Sequence, residues 1–302
     1  MGSWERGLDA AGVRGARLRG DYGAQRSVVA RFRRASYVAV RLLLPPSLVP
    51  HVVAATAVMH HGDNLLDTGT RARRATAWAS WEGRVRRALE TGVGDDPLMR
   101  TLVHTMEAYP RLRGVVEAYL STATAELEFD GFATETDFQA YVDAYSLPGF
   151  MLVASLIGPD ADDGSFRAGC RTFIEAGQRL DFVNDLAEDL REGRLGVPME
   201  TLKRFSVSVE DLAAGRESPG VRELVEEQVR AARVGLLASR ELSALVPGPS
   251  RALVEALVEI ELLTADSALR RGAELLRGSA SPPPLGAVRV LARGWRRARA
   301  ER

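Results

Sequence analysis

The sequence is poor in cysteine and histidine, and each shortage argues against a class of site. Its 302 residues include one cysteine, Cys170, which excludes an intramolecular disulfide and any zinc site built from several cysteines. We expect Cys170 to be a small buried apolar side chain in a reducing, cytoplasmic setting. Two of the four histidines, His60 and His61, are adjacent. Neighbouring helical residues point in different directions, so this pair is a poor zinc site.

The chain also lacks net charge and a long uninterrupted apolar run. Its 40 basic and 40 acidic residues balance, so we expect no overall attraction towards nucleic acid. Lys203 is the only lysine, so nearly all the positive charge is arginine. The longest apolar region, residues 42–59, is interrupted by prolines and by His51 and is a poor membrane span. The first residues show no apolar segment typical of a signal peptide.

What the chain does contain is helix-forming sequence along almost its whole length. Alanine, leucine, arginine and glutamate dominate, and apolar residues recur at helical spacing in 222–246 and 251–277. The breaks between these segments are short. The sequence therefore predicts a single all-α domain of roughly ten helices, with helices near 23–44 and 47–68. We place this domain at residues 1–278 and a Pro-rich break with a basic tail at 279–302, for which we expect at most weak membrane association.

Two acidic clusters lie on predicted helices. The stretch "HHGDNLLDTG" holds Asp63 and Asp67 four residues apart. The stretch "QRLDFVNDLAEDLREGRL" places a second set on one helical face, namely Gln178, Asp181, Asp185, Glu188 and Asp189. Like charges at this spacing cost stability, and two facing acidic helices repel each other unless a cation lies between them.

Magnesium is the cation that fits such a pair of clusters. It prefers oxygen ligands and usually takes a few carboxylates together with ligand phosphates. The residues therefore predict a diphosphate held through Mg²⁺ by Asp63, Asp67, Asp185 and Asp189. The alternative from the residues alone is that both clusters are ordinary solvated helix faces.

With both motifs identified, the chain resembles the squalene/phytoene synthase family. Three stretches carry the resemblance: "SYVAVRLLLPPSLVPHVVAATAVMHHGDNLLD", "LEFDGFATETDFQAYVDAYSLPG" and "QRLDFVNDLAEDLREGRLGVPMETLKRFSVSVEDL". The resemblance spans roughly residues 8–275. The resemblance implies the isoprenoid synthase fold, a helical cup with magnesium and diphosphate at its mouth and a central apolar cavity. It also implies ionisation of an allylic prenyl diphosphate.

The resemblance assigns roles to individual residues. It matches Asp63 and Asp67 to the first metal-binding motif and Asp185 and Asp189 to the second. On the substrate side it matches Gln178, Arg194, Ser36 and Tyr37, and Arg33 or Arg34 lies one turn before Tyr37, where it could add charge-assisted bonds to the diphosphate. Tyr141 and Tyr145 are expected to stabilise the allylic cation with their ring faces. Asp181 or His60 is the candidate base.

Four positions depart from the family pattern. His60 stands where an arginine is common, Asp181 replaces an asparagine, Asn184 replaces an arginine and Gly196 replaces a tyrosine. Two arginines are therefore lost near the diphosphate and one carboxylate is gained, and Gly196, which lacks a large ring, is expected to open room. The first interpretation is therefore a magnesium-dependent prenyltransferase of secondary metabolism that moves a geranyl, farnesyl or similar group to a small aromatic acceptor. The alternatives are a head-to-head phytoene- or squalene-type synthase, a terpene cyclase and a non-catalytic helical protein.

Overall fold

The computed structural model describes residues 2–160 and 164–301, and this part of the chain forms sixteen α-helices and no strand. The first eight are α1 (Ser3–Ala10), α2 (Ala16–Phe32), α3 (Arg34–Leu43), α4 (Val49–Asp67), α5 (Arg71–Thr91), α6 (Pro97–Ala108), α7 (Leu112–Thr122) and α8 (Glu135–Tyr141). The second eight are α9 (Leu147–Ile157), α10 (Gly164–Asn184), α11 (Leu186–Arg191), α12 (Met199–Arg204), α13 (Val209–Ala213), α14 (Pro219–Ala238), α15 (Gly248–Arg271) and α16 (Pro284–Ala300).

The predicted all-α class is confirmed, but two predicted helices are each broken in two. The helix expected near 23–44 breaks at Arg33, whose φ of −129° and ψ of 49° are not helical. The acidic helix expected from residue 178 onwards ends at Asn184 and restarts after Asp185, which has φ −97° and ψ 12°. Neither break contains glycine or proline. The usual sequence signals for helix termination are therefore absent at both positions.

Helix α4 lies at the centre of the bundle and packs against α2, α5, α6 and α9. From Val49 to Val58 almost every residue is buried, as expected for a helix that is apolar on all sides. Apart from His51 and Thr56, its polar residues lie between His60 and Asp67, its last residue. Helix α10 packs mainly on α14 and ends one residue before Asp185. The first motif therefore lies at a helix C-terminus, whose partial negative charge adds to the repulsion between carboxylates. The second motif lies at the junction of α10 and α11, with Asp189 in the first turn of α11.

Helices α8 and α9 are joined by a π-helical turn, Val142–Ser146, so that Glu135–Ile157 is almost continuous. This 23-residue stretch is long and apolar enough to cross a membrane, but 67% of the tested window is buried inside the protein. It begins with a capping box between Thr134 and Asp137. A core helix of a globular protein accounts for these properties. Because π-turns widen a helix locally, this turn also decides where Tyr145 points.

The C-terminal segment set apart by the sequence at 279–302 contains a packed helix. Helix α16 packs against α15 and α3, with Gly294 and Ala298 buried in the contact. Arg297 forms an ion pair of 2.6 Å with Glu255 of α15. The packed body of the protein thus extends beyond the Pro-rich break.

Candidate active site

Asp63 is the innermost carboxylate of the first motif and is half-buried. Tyr145, from the π-helical turn, donates a hydrogen bond of 3.0 Å from Oη to Asp63 Oδ1. Burial raises the pKa of Asp63 to about 6, with a smaller contribution from the negative charge of Asp67, although the bond from Tyr145 opposes the shift. The protein therefore holds this acid in place without neutralising it.

Asp67 lies close to a buried acid, Glu126, that the sequence analysis did not single out. Tyr141 Oη donates to Glu126 Oε2 at 2.6 Å, and Arg194 Nη2 donates to Glu126 Oε1 at 2.7 Å. The second terminal nitrogen of Arg194, Nη1, lies 4.0 Å from Asp67 Oδ1. Burial raises the pKa of both Asp67 and Glu126. Glu126 thus fixes Tyr141 and Arg194 beneath the rim of the first motif.

The second motif straddles the helix break at Asp185. The backbone ladder continues across the break, from Asp185 N to Asp181 O at 2.8 Å and from Asp189 N to Asp185 O at 3.0 Å. Burial raises the pKa of Asp189 to about 6, and Asp185, Glu192 and Glu188 contribute like charge. Burial, and then the charge of Glu188, also raises the pKa of Asp185. These acids repel one another in the same way as those of the first motif.

Two arginines link the motifs electrostatically. The charge of Arg194 lowers the pKa of Asp67 in the first motif and of Asp189 in the second, against the larger effect of burial. The charge of Arg33 acts in the same direction on Asp63 and Asp181. Each arginine is therefore within electrostatic range of both motifs. Arg33 lies at the helix break, and like Arg34 and Ser36 of α3 it is exposed; of these three residues only Arg33 acts on the carboxylates of the site.

Asp181 is exposed to water but is also closely surrounded by protein. Its surface is open to a water molecule, yet protein surrounds it closely enough that burial raises its pKa to about 7. The next causes of the shift are the negative charges of Glu261 on α15 and of Asp185. Glu261, whose own pKa is raised by burial, was missed because one acid in a helical apolar pattern carries no distinguishing signal.

The remaining predicted residues on the substrate side make contacts of their own. Gln178 accepts a hydrogen bond of 3.0 Å from Ser146 Oγ. Tyr37 is buried in the core. His60 Nε2 lies 3.1 Å from Asn64 Nδ2, and its ring lies 4.7 Å from that of Phe32 at the end of α2.

Two predictions based on departures from the family pattern need correction. The amide of Asn184, expected on the substrate side, bonds the backbone of Ala280 in both directions, at 3.1 Å and 2.8 Å. Asn184 therefore anchors the segment before α16. Gly196, expected to open room, leaves none, because a Cβ atom there would lie 2.6 Å from Cβ of Phe182. The ring of Phe182 fills the space beside Gly196.

Phe182 belongs to an aromatic cluster beside the first motif. Tyr141 has the rings of Phe129, Phe132, Phe182 and Tyr145 within 5.3 to 6.1 Å of its centroid. The guanidinium of Arg194 lies 5.1 Å from the centroid of Phe129. Apolar walls of this kind exclude water and present ring faces to a cation.

The acids fit magnesium bound together with a ligand. In residues 2–160 and 164–301, no three His, Cys, Asp or Glu side chains form a ready-made cage for an ion. Magnesium, however, typically uses one or two protein carboxylates and completes its octahedron with water and substrate phosphate oxygens. Acids that are held in place and repel one another are suitable donors for this. Zinc or calcium cages would need more protein ligands at one point.

Comparison with known proteins gives consistent results. A model of the family described as squalene/phytoene synthase matches residues 30–292. The bifunctional protein CrtB/UppS of Streptomyces coelicolor is 27% identical over 255 residues, covering 84% of this chain and 44% of that protein. The 15-cis-phytoene synthase of Synechocystis is 24% identical over 226 residues, covering 70% of this chain and 66% of that protein. The matched regions thus span less than two thirds of these relatives.

Among solved structures, the squalene synthase HpnC from Alicyclobacillus acidocaldarius is similar over 89% of this chain and 99% of that chain, with a TM-score of 0.75 and 22% identity. At this identity the likeness shows the fold. The expected helical cup is therefore confirmed.

Proposed function

The chain belongs to the squalene/phytoene synthase family, and on that premise we propose that it joins two allylic prenyl diphosphates head to head. One observation carries the proposal: two acidic motifs, whose carboxylates the protein leaves without full compensation, share Arg33 and Arg194 between them. A diphosphate with magnesium supplies the charges that this arrangement requires.

In the proposed site, Asp63, Asp67, Asp185 and Asp189 hold magnesium, which when bound stabilises negative charge on the leaving diphosphate. Arg33 and Arg194 donate charge-assisted hydrogen bonds to its oxygens. The allylic carbon–oxygen bond breaks, and its electron pair leaves with the diphosphate. The double bond of the second prenyl diphosphate then attacks the cation and forms the new carbon–carbon bond, and loss of a proton neutralises the coupled product, which still carries one diphosphate. A hydrocarbon forms when the carbon–oxygen bond to this second diphosphate also breaks, with its electron pair leaving on the diphosphate, and a second proton is lost.

The surrounding residues protect and steer the cation. Tyr141 and Tyr145 present ring faces to it, while their hydroxyl groups remain bound to Glu126 and Asp63. The aromatic cluster excludes water, which would otherwise capture the cation. Asp181, whose pKa of about 7 reflects first its burial, is suited to accept the proton lost at the end of the reaction.

The corrected geometry favours a prenyl acceptor over an aromatic one. The aromatic interpretation depended on lost cations and on space opened at Gly196. Phe182 occupies that space, and the side chain at position 184 faces the backbone of Ala280, so Asn184 does not mark a cation lost from the substrate side. The names of the curated relatives, phytoene synthase and CrtB/UppS, also support joining of two prenyl chains.

Transfer to a small aromatic acceptor is the second candidate. It is favoured by Asp181 and Glu261, two acids close enough for the charge of Glu261 to raise the pKa of Asp181. Such a pair suits removal of a proton from an electron-rich ring after its attack on the cation.

The test is incubation of the purified protein with Mg²⁺ and geranyl, farnesyl or geranylgeranyl diphosphate, one at a time, followed by mass spectrometry. A hydrocarbon with twice the carbon number of the donor supports head-to-head joining. A hydrocarbon with the carbon number of the donor indicates a cyclase instead. Donor that stays intact until an aromatic compound is added supports the second candidate. The matched control is Asp143→Asn, an exposed acid outside both motifs, which should behave like the wild type.

A further inference from the structure

Large exposed apolar side chains are concentrated in one part of the molecule. In the described residues six of the eight such side chains lie at the end of α2, on α3 and on α16, namely Phe32, Val38, Leu42, Leu285, Val288 and Trp295. We call these six residues, with the arginines of α3 and α16, the basic apolar face. The other two, Val93 and Val234, lie on separate elements. Scattered apolar side chains are normal on a protein surface, whereas a cluster indicates a binding surface.

Helix α16 shows the pattern most clearly. Leu285, Val288 and Trp295 follow one another at helical spacing and are 73%, 61% and 40% exposed. The small residues Gly294 and Ala298 face the body of the protein. The helix therefore has an apolar stripe on its solvent side, where an amphipathic surface helix ordinarily carries polar residues.

The charge on these two helices is all of one sign. Helices α3 and α16 contain no acidic residue and seven arginines, namely Arg34, Arg41, Arg289, Arg293, Arg296, Arg297 and Arg299. The chain as a whole is neutral, so this local excess is not a matter of overall composition. Arg297 is paired with Glu255. Within the described part of the chain, Arg289, Arg296 and Arg299 form no ion pair, and Arg299 lies 4.9 Å from the ring centroid of Trp295.

We propose that the basic apolar face docks on the surface of an anionic lipid bilayer. Aliphatic side chains and a tryptophan beside arginines match the two layers of such a surface, because the apolar groups enter the acyl boundary while the guanidinium groups bind lipid phosphates. A second copy of the chain fits poorly, since a two-fold contact would bring two sets of like charges together. A nucleic acid would use the arginines but leave the aliphatic stripe in water.

The basic apolar face lies next to the candidate site, so docking would bring that site close to the lipid surface. Phe32 belongs to the face, and its ring contacts His60, which lies one turn before Asp63 on α4. The next residue, Arg33, acts on Asp63 and Asp181. The face therefore continues to the rim of the site, so a docked molecule holds that rim near the lipid. The docking itself requires no catalysis and is testable without substrate.

The test is cosedimentation of the full chain with vesicles of phosphatidylcholine alone and with vesicles of equal parts phosphatidylcholine and phosphatidylglycerol. We expect binding to the anionic vesicles that weakens as salt is raised. Leu285→Ser with Val288→Ser, and separately Arg289→Gln with Arg296→Gln, should each weaken binding by about tenfold or more. The matched controls are Val93→Ser with Val234→Ser, at 69% and 67% exposure, and Arg87→Gln with Arg222→Gln.

Control variants should bind within about twofold of the wild type, and all variants should melt at the wild-type temperature. Absence of wild-type binding to anionic vesicles would overturn the proposal, as would an equal loss in controls and face variants. A wild-type dimer that Leu285→Ser with Val288→Ser converts to a monomer, without lipid binding by either protein, would also overturn it. The face would then be a contact between two copies.

Discussion

Helix α10 carries two charged clusters whose centres, Arg179 and Asp181, are two residues apart, and the two differ in how their charges are compensated. Arg179 is buried, bonds Glu135, lies 2.7 Å from Glu175 and stacks 4.4 Å from the ring centroid of Phe138. Asp181, on the opposite side of the helix, has acids as its nearest charged neighbours apart from Arg33. One sequence segment thus contains a closed ion-pair network and an open acidic site.

The pKa values express this difference. Burial acts to raise the pKa of Glu135, but the hydrogen bonds from Arg179 and Gln139 outweigh it, and the pKa is lowered. Burial raises the pKa of Asp181 to about 7, and Glu261 and Asp185 push it in the same direction. Charges that compensate one another within the chain hold the fold together, whereas charges left without compensation remain available to a ligand.

The largest expected effect comes from breaking the closed network. Arg179→Met leaves Glu135 and Glu175 without their cation and should lower the free energy of unfolding by about 3–5 kcal/mol. Urea denaturation measures this. Arg171→Met is the matched control, because its ion pair with Asp143 is largely exposed and should contribute less than about 1 kcal/mol. Equal losses in the two variants would contradict the distinction between a closed network and a surface pair.

Removing an acid from the open site should lower activity but should not lower the stability of the fold. Asp63→Asn deletes a proposed magnesium ligand and should slow diphosphate release in a single turnover by about 100- to 1000-fold. The metal-free protein should be no less stable, because a neutral amide relieves burial of a charge that Asp67 repels. A melting temperature that falls together with activity would assign Asp63 to the fold instead.

The pH dependence of stability provides a smaller test of the same contrast. Folding raises the pKa of Asp181 to about 7, chiefly through burial. Its contribution to stability is therefore fully present below its unfolded pKa and is lost as pH rises through about 7. Between about pH 5 and pH 7.5 the metal-free wild type should lose of the order of 1 kcal/mol more than Asp181→Asn, after allowance for solvent screening.

The wild type is compared with Asp181→Asn because His51 also changes the stability with pH, in the direction opposite to Asp181. Burial lowers its pKa to about 4, with His104 adding to the shift, so this group destabilises the fold as the pH falls. The contribution of His51 is common to the wild type and Asp181→Asn and cancels. Identical pH profiles would show that Asp181 is compensated after all.

A last set of variants separates an uncompensated charge from a hydrogen bond that is not made, and its first member has the smallest expected effect. The buried hydroxyl of Tyr119 has no hydrogen-bond partner in the described residues. Tyr119→Phe should therefore change the free energy of unfolding by less than about 1 kcal/mol. Gly62→Ala should cost about 1–3 kcal/mol, because its Cβ would overlap the same hydroxyl. The double variant should recover most of that loss, and a simple sum of the two effects would contradict the overlap.

The sequence predicted the helical class and both acidic motifs, because helical periodicity and the spacing of acids are local patterns. It did not predict the break at Arg33, although that break brings the arginine to the site, since nothing in the flanking residues terminates a helix. Nor did the sequence indicate that Glu126 and Glu261 belong to the site. Their importance depends on contacts with Tyr141, Arg194 and Asp181, which come from other helices.

The two errors at Asn184 and Gly196 have a common cause. Each residue was interpreted by what it lacks relative to a family pattern, whereas its environment depends on partners far along the chain. The amide of Asn184 is hydrogen-bonded to the backbone of Ala280, a contact that no local pattern indicates. Absence of a side chain at one position therefore gives no information about empty space until its neighbours are known.

Phe182 and Gly196 together have a consequence for protein engineering. The ring of Phe182 occupies the volume that a side chain at position 196 would need. A library that varies one residue at a time should therefore find that position 196 tolerates almost no side chain larger than glycine. Paired libraries, with a small residue at 182 and an aromatic one at 196, should recover folded proteins that single changes never reach. The packing at this point is therefore best redesigned by exchanging residues between these two positions.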